Sequence, residues 1–333
     1  MIPAIEKHAT SSRIKNSKFA IIFSLFLLWR RGFIIVAEKV EVNTMRETIS
    51  AEKFYYDLQN SRVREHAFNQ WEEYRKQVTN LLITACDQGK TLAIFGAGRG
   101  NDMDLSRLAG HFREITLIDL NENAMQSAVR QYSLEGHPAI KLEQQDFVGI
   151  TDEDYIQYLS VMGREYLQMG YVLNDPVSQT FTELERLYEK AGKHRPDFGR
   201  KRYDYSLVLN VHSQLNDTAD WIRTHMMSLL GEPVDYHNRT AVRILEETAL
   251  IVKKFNEAVL AATGETTFIG YEIGIQGQPG DGIQGALQTH QDLRKREKCG
   301  QIRLKQQDLL TWPYDRKQKI VFTVLLETLS VLL

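Results

Sequence analysis

Cysteine is scarce in this 333-residue chain, with Cys86 and Cys299 as the two thiols. They stand far apart in sequence and fit no metal-ligand or redox spacing, so two free thiols in a reducing cytoplasm are expected rather than a disulfide framework. Charge of one sign is lacking too. A formal net charge of -2 supplies no general pull toward nucleic acid or an acidic membrane, so a nucleic-acid partner is not expected. The nine histidines form no His-x-x-x-His pair and no histidine–carboxylate grouping, which removes a zinc centre; no metal site is expected. No internal repeat or low-complexity tract is present. The longest apolar run of the N-terminal region, Phe19 to Trp29, is cut off by Arg30-Arg31 well short of a membrane span.

That run follows Arg13, Lys15 and Lys18, an arrangement superficially like a secretory signal, yet no small-residue cleavage site comes after it. Neither export nor an integral membrane span is expected. Residues 1–45 therefore read as an N-terminal extension of uncertain structure, with two readings open. Phe19–Trp29 and Phe33–Val42 could be strands joined at Arg30-Arg31-Gly32, and Phe19–Val36 could cover a sheet edge or a second copy in a homo-oligomer. Alternatively, Met45 is the start and the preceding segment an appendage.

What is present centres on one stretch. An apolar strand (Leu92-Ala93-Ile94-Phe95) runs into Gly96-Ala97-Gly98-Arg99-Gly100, then a helix expected to open at Asn101 or Asp102. A second apolar strand (Ile115-Thr116-Leu117-Ile118) ends in Asp119, followed by Leu120. Glycines let backbone turn sharply and approach a ligand closely. A helix N-terminus favours an anionic group. An acid about twenty positions past the glycines can accept hydrogen bonds from ribose hydroxyls. The glycine spacing is G-x-G-x-G, with Asn101 where the dinucleotide fingerprint has its third glycine.

This combination of glycine loop and acid-tipped second strand resembles the class I S-adenosylmethionine-dependent methyltransferases. The resemblance implies a seven-stranded Rossmann-like α/β sheet flanked by helices, and S-adenosyl-L-methionine as cofactor with S-adenosyl-L-homocysteine as product. It implies that Gly96, Ala97, Gly98 and Asn101 face the methionine end, and that Asp119 and Leu120 hold the ribose. It gives Asp146-Phe147, at the tip of the third strand (Ile140–Gln145), the adenine amino group and ring. The end of the fourth strand (Tyr203–Asn210) borders the transferring methyl, which places Asn210 and Val211 beside the cofactor. His212 is the candidate general base there, because imidazole titrates near neutral pH; a structural histidine is the competing reading. Ser213 and Gln214 are polar contacts without assigned roles. The Asn/Asp-Pro-Pro-Tyr signature of nucleobase amine methylation is absent at this strand end, which argues against a DNA-amine substrate.

Around this centre, Trp71, Tyr74, Val78, Leu81, Leu82 and Ala85 mark a helical pattern over Ser50–Ala85, part of an expected cover at 46–90. Tyr55, Tyr56, Arg62 and Arg64 are lid candidates there. Residues 150–202 exceed one crossover helix. Ile156, Leu159, Met162 and Tyr166 mark one helix, Phe181, Leu184, Leu187 and Tyr188 a second, with Asn174-Asp175-Pro176 between and a basic tail (Lys193-His194-Arg195, Arg200-Lys201-Arg202). Ile222–Leu229 is read as a short helix ended by Gly231 and Pro233, and Ala241–Val259 as the strongest amphipathic helix. A fifth strand (Thr266–Ile273) leads to a glycine-rich loop, Gly274–Gly282, without phosphate-loop spacing. A last helix (Ile283–Leu293) precedes two closing strands, Gln301–Gln306 and Lys319–Leu326, around Trp312-Pro313.

The expected organisation is thus an extension at 1–45 and a methyltransferase domain at 46–333. The expected activity is methyl transfer to a small molecule or peptide. An NAD(P)-dependent oxidoreductase and a non-catalytic, methyltransferase-like interaction protein remain as alternatives.

Overall fold

A computed structural model describes residues 50–170, 176–231, 234, 238–276 and 284–332. The expectations for the N-terminal extension, Asn174-Asp175, Pro233, the glycine-rich run from Gly277 to Gly282 and Ile283 lie outside the described residues.

Three helices lead into the sheet: α1 (Ala51–Ser61), α2 (Ala67–Gln70) and α3 (Glu72–Ala85). The single helical pattern read over this region is therefore broken twice. Side-chain contacts made at the first break give the reason. Arg62 stacks on Trp221, 4.1 Å from the ring centroid, and Arg64 on Tyr314 at 5.0 Å. Contacts of that kind outweigh the small helix preference of an arginine.

Strands β1 (Thr91–Phe95), β2 (Glu114–Asp119) and β3 (Ile140–Gln144) alternate with α4 (Leu105–Ala109) and α5 (Glu122–Gln131). The crossover to β4 (Tyr203–Leu209) carries α6 (Asp152–Met169) and α7 (Gln179–Lys193), the two helices expected there. Thr151 and Asp154 close a capping box on α6, and the second oxygen of Asp154 receives Arg186 and Lys190 from α7. One carboxylate thus starts the first helix and fastens the second to it. Helices α8 (Asp217–Leu229) and α9 (Arg239–Ala262) precede β5 (Thr263–Ile275), and α10 (Gln284–Lys298) precedes the hairpin of β6 (Ile302–Asp315) and β7 (Ile320–Val331).

The seven strands form one sheet in the order β3-β2-β1-β4-β5-β7-β6. The first five are mutually parallel, and β7 lies antiparallel between β5 and β6. An all-apolar strand suits the middle of such a sheet because helices cover both faces. In β1, Ala93 and Phe95 enter a core shared with α1 and α6–α10, while Leu92 and Ile94 enter a second core with α3–α5. This is the seven-stranded Rossmann-like sheet that the glycine loop implied, with the antiparallel strand a nicotinamide-type doubly wound sheet does not have.

Two further expectations are corrected. Strand β6 does not stop at Gln306 but continues through Trp312-Pro313. It is the sheet's edge strand, where a proline's missing N–H breaks no ladder, and its register shifts between Trp312 and Asp315. Trp312 is pinned there, 5.0 Å from Trp71 and 5.9 Å from Tyr74, so the hairpin clamps α3. The helix after the glycines begins not at Asn101 or Asp102 but at Leu105, where Asp104 caps it by accepting from the Arg107 N–H. The intervening residues extend the loop, and the helix that follows has a single turn or so.

Candidate functional site

In a parallel sheet of this order the chain leaves β1 on one side and returns by β4 on the other, opening a crevice at their carboxyl ends. Gly96, Gly98 and Gly100 line the turn out of β1 with φ of +68°, +49° and +63°. Their reasons differ. A Cβ at Gly96 would stand 2.3 Å from Val211 Cγ2, and one at Gly100 would meet Ala128 and Leu105 at 3.0 and 3.2 Å. Those two glycines are required by the protein's own packing. A Cβ at Gly98 would find only the Gly96 carbonyl, at 4.0 Å. The backbone there borders open space.

Asp119 completes the turn. Its Oδ2 accepts the Gly98 N–H at 2.9 Å, and its Oδ1 accepts the Asn121 N–H at 2.8 Å. The carboxylate is fixed from both sides, and burial raises its proton affinity against the opposing pull of those amides. Two carboxylate oxygens offer about four acceptor positions, so acceptor capacity remains beyond these bonds. Leu120 beside it is half exposed and presents an apolar surface at the end of β2.

The structure places the remaining candidates unequally. Ala97 is buried in the core and its N–H is directed to the Ile118 carbonyl, so it brings no side chain to the crevice. Asn101 lies on the extended loop, where its carbonyl accepts Arg75 Nη1 at 3.2 Å. The backbone after β3 is tied to Asp119 by the Gln145 N–H, at 3.0 Å. Asp146 Oδ1 accepts the N–H groups of Val148 and Gly149, and the Asp146 carbonyl lies 3.0 Å from His194 Nε2. Asp146 therefore caps its own turn with one oxygen. Phe147 packs 5.0 Å from Phe255 and 5.7 Å from Phe198. The basic tail is partly occupied by such bracing, since Arg202 also pairs with Glu143 at 2.7 Å.

Of the lid candidates, Tyr55 is buried and donates to Asp152 at 2.7 Å, whereas Tyr56 is exposed. Arg62 and Arg64 are committed to the cover, where Arg62 also reaches Asp217 at 3.2 Å.

At the end of β4, Asn210 adopts φ +57°, a left-handed conformation that asparagine tolerates better than most residues. The turn it makes sends Val211 against Gly96 and His212 the other way. His212 has no exposed surface; its Nε2 lies 2.8 Å from Asn256 Oδ1, its ring 5.6 Å from Phe255, and its carbonyl beneath Gly285. Burial depresses its pKa to about 4, because an imidazolium is costly in an apolar site. The geometry is that of a histidine holding α9 to the β4 loop, and it does not present the ring to the crevice as the general-base expectation required.

Side chains to which the sequence assigned no role in the site stand at the same strand ends. The Tyr74 hydroxyl of α3 receives Asn210 Nδ2 at 2.9 Å, and the Ser213 hydroxyl donates to Glu272 Oε1 at 2.9 Å. Burial, with Glu272 adding its charge, pushes the Asp102 carboxyl up to about 7, while Arg75 opposes the rise. Burial likewise pushes Glu272 up to about 7 against the Ser213 bond. One signal was readable. Glu272 is a lone acid inside the otherwise apolar and small Phe-Ile-Gly-Tyr-Glu-Ile run of β5, and an acid in a buried strand is a rarity.

No protein-family model matches the chain, and a search of curated proteins by sequence finds no match. Solved structures do resemble it. The N-methyltransferase NodS of Bradyrhizobium japonicum, in complex with S-adenosyl-L-homocysteine, has a TM-score of 0.39 and 11% identity over 84% of this chain and 98% of its own. A SAM-dependent methyltransferase from Aquifex aeolicus has 0.39 and 10% over 82% and 97%. Magnesium protoporphyrin IX methyltransferase from Synechocystis, with bound S-adenosyl-L-homocysteine, has 0.38 and 9% over 95% and 99%. At that level they add nothing to the strand order itself, which is the class I methyltransferase arrangement. Among the described residues no helix is long and apolar enough to cross a membrane, and no group of three or more histidine, cysteine, aspartate or glutamate side chains could hold a metal ion.

Proposed function

We propose that this chain is a methyltransferase that binds S-adenosyl-L-methionine over the turn that leaves β1, beside the end of β2, and delivers its methyl group to an acceptor at the ends of β4 and β5. The observation that carries this reading is the contrast among the glycines. Gly96 and Gly100 are explained by side chains packed against them, whereas Gly98 faces open space next to a fixed, partly buried carboxylate. A backbone cradle beside an acid suits a nucleoside with an amino-acid tail. Asp119 would accept from the ribose hydroxyls, Leu120 and Phe147 would border the adenine, and Asp146 would receive its amino group. The loop from Gly98 to Asn101 would meet the methionine end.

The bound cofactor supplies a methyl group already activated on a sulfonium. The chain's own contribution is then orientation of the acceptor and exclusion of water. Helices α1–α3 and α6–α7 are the candidate cover for a small-molecule or peptide acceptor, with α1 packed on α6. The residues at the β4 and β5 tips best placed to meet that acceptor are Asn210, Ser213 and Glu272, and His212 takes a positioning role behind them. The antiparallel β7 disfavours the nicotinamide alternative.

Two glycine substitutions test the cradle. Gly98→Leu is expected to fold with a loss of about 1–2 kcal/mol, the cost of a side chain at a left-handed position, and to weaken S-adenosyl-L-homocysteine binding at least about tenfold, or about 1.4 kcal/mol. Gly96→Ala forces a methyl into Val211 and is expected to cost the fold about 1–3 kcal/mol, as overpacking does. Thermal unfolding and calorimetric titration read the two effects separately. Normal cofactor affinity in Gly98→Leu contradicts the cradle.

A further inference from the structure

Three buried oxygens at the acceptor end of the crevice have no hydrogen-bond donor among the described residues: Asp102 Oδ1, Asn210 Oδ1 and Glu272 Oε2. They come from three different elements, namely the extended loop after β1, the turn after β4 and the tip of β5. The Tyr74 hydroxyl relates them, because it is hydrogen-bonded to Asn210 Nδ2 and feels the charges of both Asp102 and Glu272. Asn210 and Glu272 are each 2% exposed. An acceptor oxygen buried without a donor is costly, and such groups are rare in folded proteins. Here three are related through Tyr74, two of them on carboxylates, and the charge of Glu272 acts on Asp102.

The missing partner must therefore offer several donors and a positive charge. A hydroxyl offers one donor and no charge. The described residues bring no third carboxylate, thiolate or imidazole to the pair, which favours N–H donors over a metal ion. A primary ammonium offers three donors on a compact cation, and charge-assisted bonds to carboxylates are the strong ones.

Resting on the methyltransferase reading above, we propose that Asp102, Asn210 and Glu272 together receive the nitrogen of an amine acceptor, bound as its ammonium and deprotonated onto Glu272. The step balances simply. An ammonium N–H bond breaks, its proton forms an O–H bond on Glu272 Oε2, and the electron pair stays on nitrogen as the lone pair a nucleophile needs. Glu272 then returns the proton to water. Ser213 holds the other oxygen of Glu272 and fixes the carboxylate's orientation. Arg75 is the cation that opposes Asp102's rise, which leaves Glu272 as the carboxylate without a cationic partner among the described residues and hence as the proton acceptor. The proton affinities of both acids lie close to neutrality, where a general base works best.

The probe is a pair of nitrogen analogues of S-adenosyl-L-methionine in which the transferable methyl is replaced by an aminoethyl arm or by a propyl arm of similar size. Calorimetric titration of the full chain at pH 8 is expected to show the aminoethyl compound binding at least about tenfold tighter than the propyl compound. Glu272→Gln and Asp102→Asn are expected to erase that preference, while Glu272→Gln leaves S-adenosyl-L-homocysteine affinity within about threefold of wild type. Equal affinity for the two arms in the wild-type chain overturns the amine proposal. So does a preference that survives both substitutions. A loss of S-adenosyl-L-homocysteine binding in Glu272→Gln shows that the carboxylates serve the cofactor's own amino group, which also overturns it. Failure of the wild-type chain to bind S-adenosyl-L-homocysteine at all sinks the methyltransferase reading instead. Thermal unfolding of each variant separates misfolding from lost recognition.

Discussion

Asp119→Ala is expected to weaken S-adenosyl-L-homocysteine binding on the order of 100-fold or more. The carboxylate offers the ribose up to two charge-assisted hydrogen bonds, each worth about 1.5–3 kcal/mol, and 1.4 kcal/mol is a factor of ten. It also organises the cradle, since Oδ2 receives the Gly98 N–H and Oδ1 the Asn121 N–H. Removing it leaves both amides without that acceptor, so about 1–3 kcal/mol of stability should go with it. Asp119→Asn retains one carbonyl oxygen and should fall between the two. Titration calorimetry measures the affinity and thermal unfolding the fold. Unchanged affinity in a folded Asp119→Ala chain would remove Asp119 from the site.

Glu272→Gln should have the second large effect, and in the opposite direction: it should stabilise the chain. The folded-state pKa of Glu272 is raised from 4.5 to about 7 by burial. A carboxyl that holds its proton more tightly when folded binds more protons in the native than in the unfolded state across that window. Stability therefore falls as pH rises from about 4.5 to about 7, and above it the charged side chain costs the fold its full amount. The difference corresponds to about 3 kcal/mol, taken as an upper figure. The isosteric glutamine carries no charge. Thermal unfolding should show the variant close to wild type at pH 4.5 and increasingly more stable toward pH 8, by about 3 kcal/mol at most. A variant that is less stable at every pH would mean that the carboxylate is satisfied within the protein and waits for no ligand. Such a trade, in which a fold tolerates a costly group where a ligand will compensate it, is typical of functional sites.

The sequence showed the centre of the fold plainly, and the reasons are local. Leu92–Phe95 and Ile115–Ile118 are short apolar runs, and the glycines between them are required by conformation and packing. The two crossover helices were legible because each carries a clear apolar period, as does α9. What escaped was decided by distant partners. The break between α1 and α2 accompanies Trp221 and Tyr314 drawing Arg62 and Arg64 onto their rings. The continuation of β6 through Pro313 depends on its being the edge strand, which is a property of the sheet. The late start of α4 turns on Asp104 capping it rather than Asn101 or Asp102.

The same division holds at the candidate site. Gly98 and Asp119 were expected together and are hydrogen-bonded together. Imidazole chemistry alone favours His212 as the base near neutral pH, but the left-handed Asn210 turns the chain so that Val211 faces the glycines and His212 faces Asn256. No local signal in the sequence specifies that reversal. Tyr74 and Asp102 belong to separate segments that only the folded sheet brings to one place, and Glu272 carried the one readable hint, an acid in an otherwise buried strand.

The most direct measurement is calorimetric titration of the full chain with S-adenosyl-L-homocysteine and, separately, with NAD(H). Saturable one-to-one binding of S-adenosyl-L-homocysteine, with none of NAD(H), is the expected result. Binding of NAD(H) alone, or of neither compound, would contradict the reading of the Gly98–Asp119 cradle as a methyl-donor site.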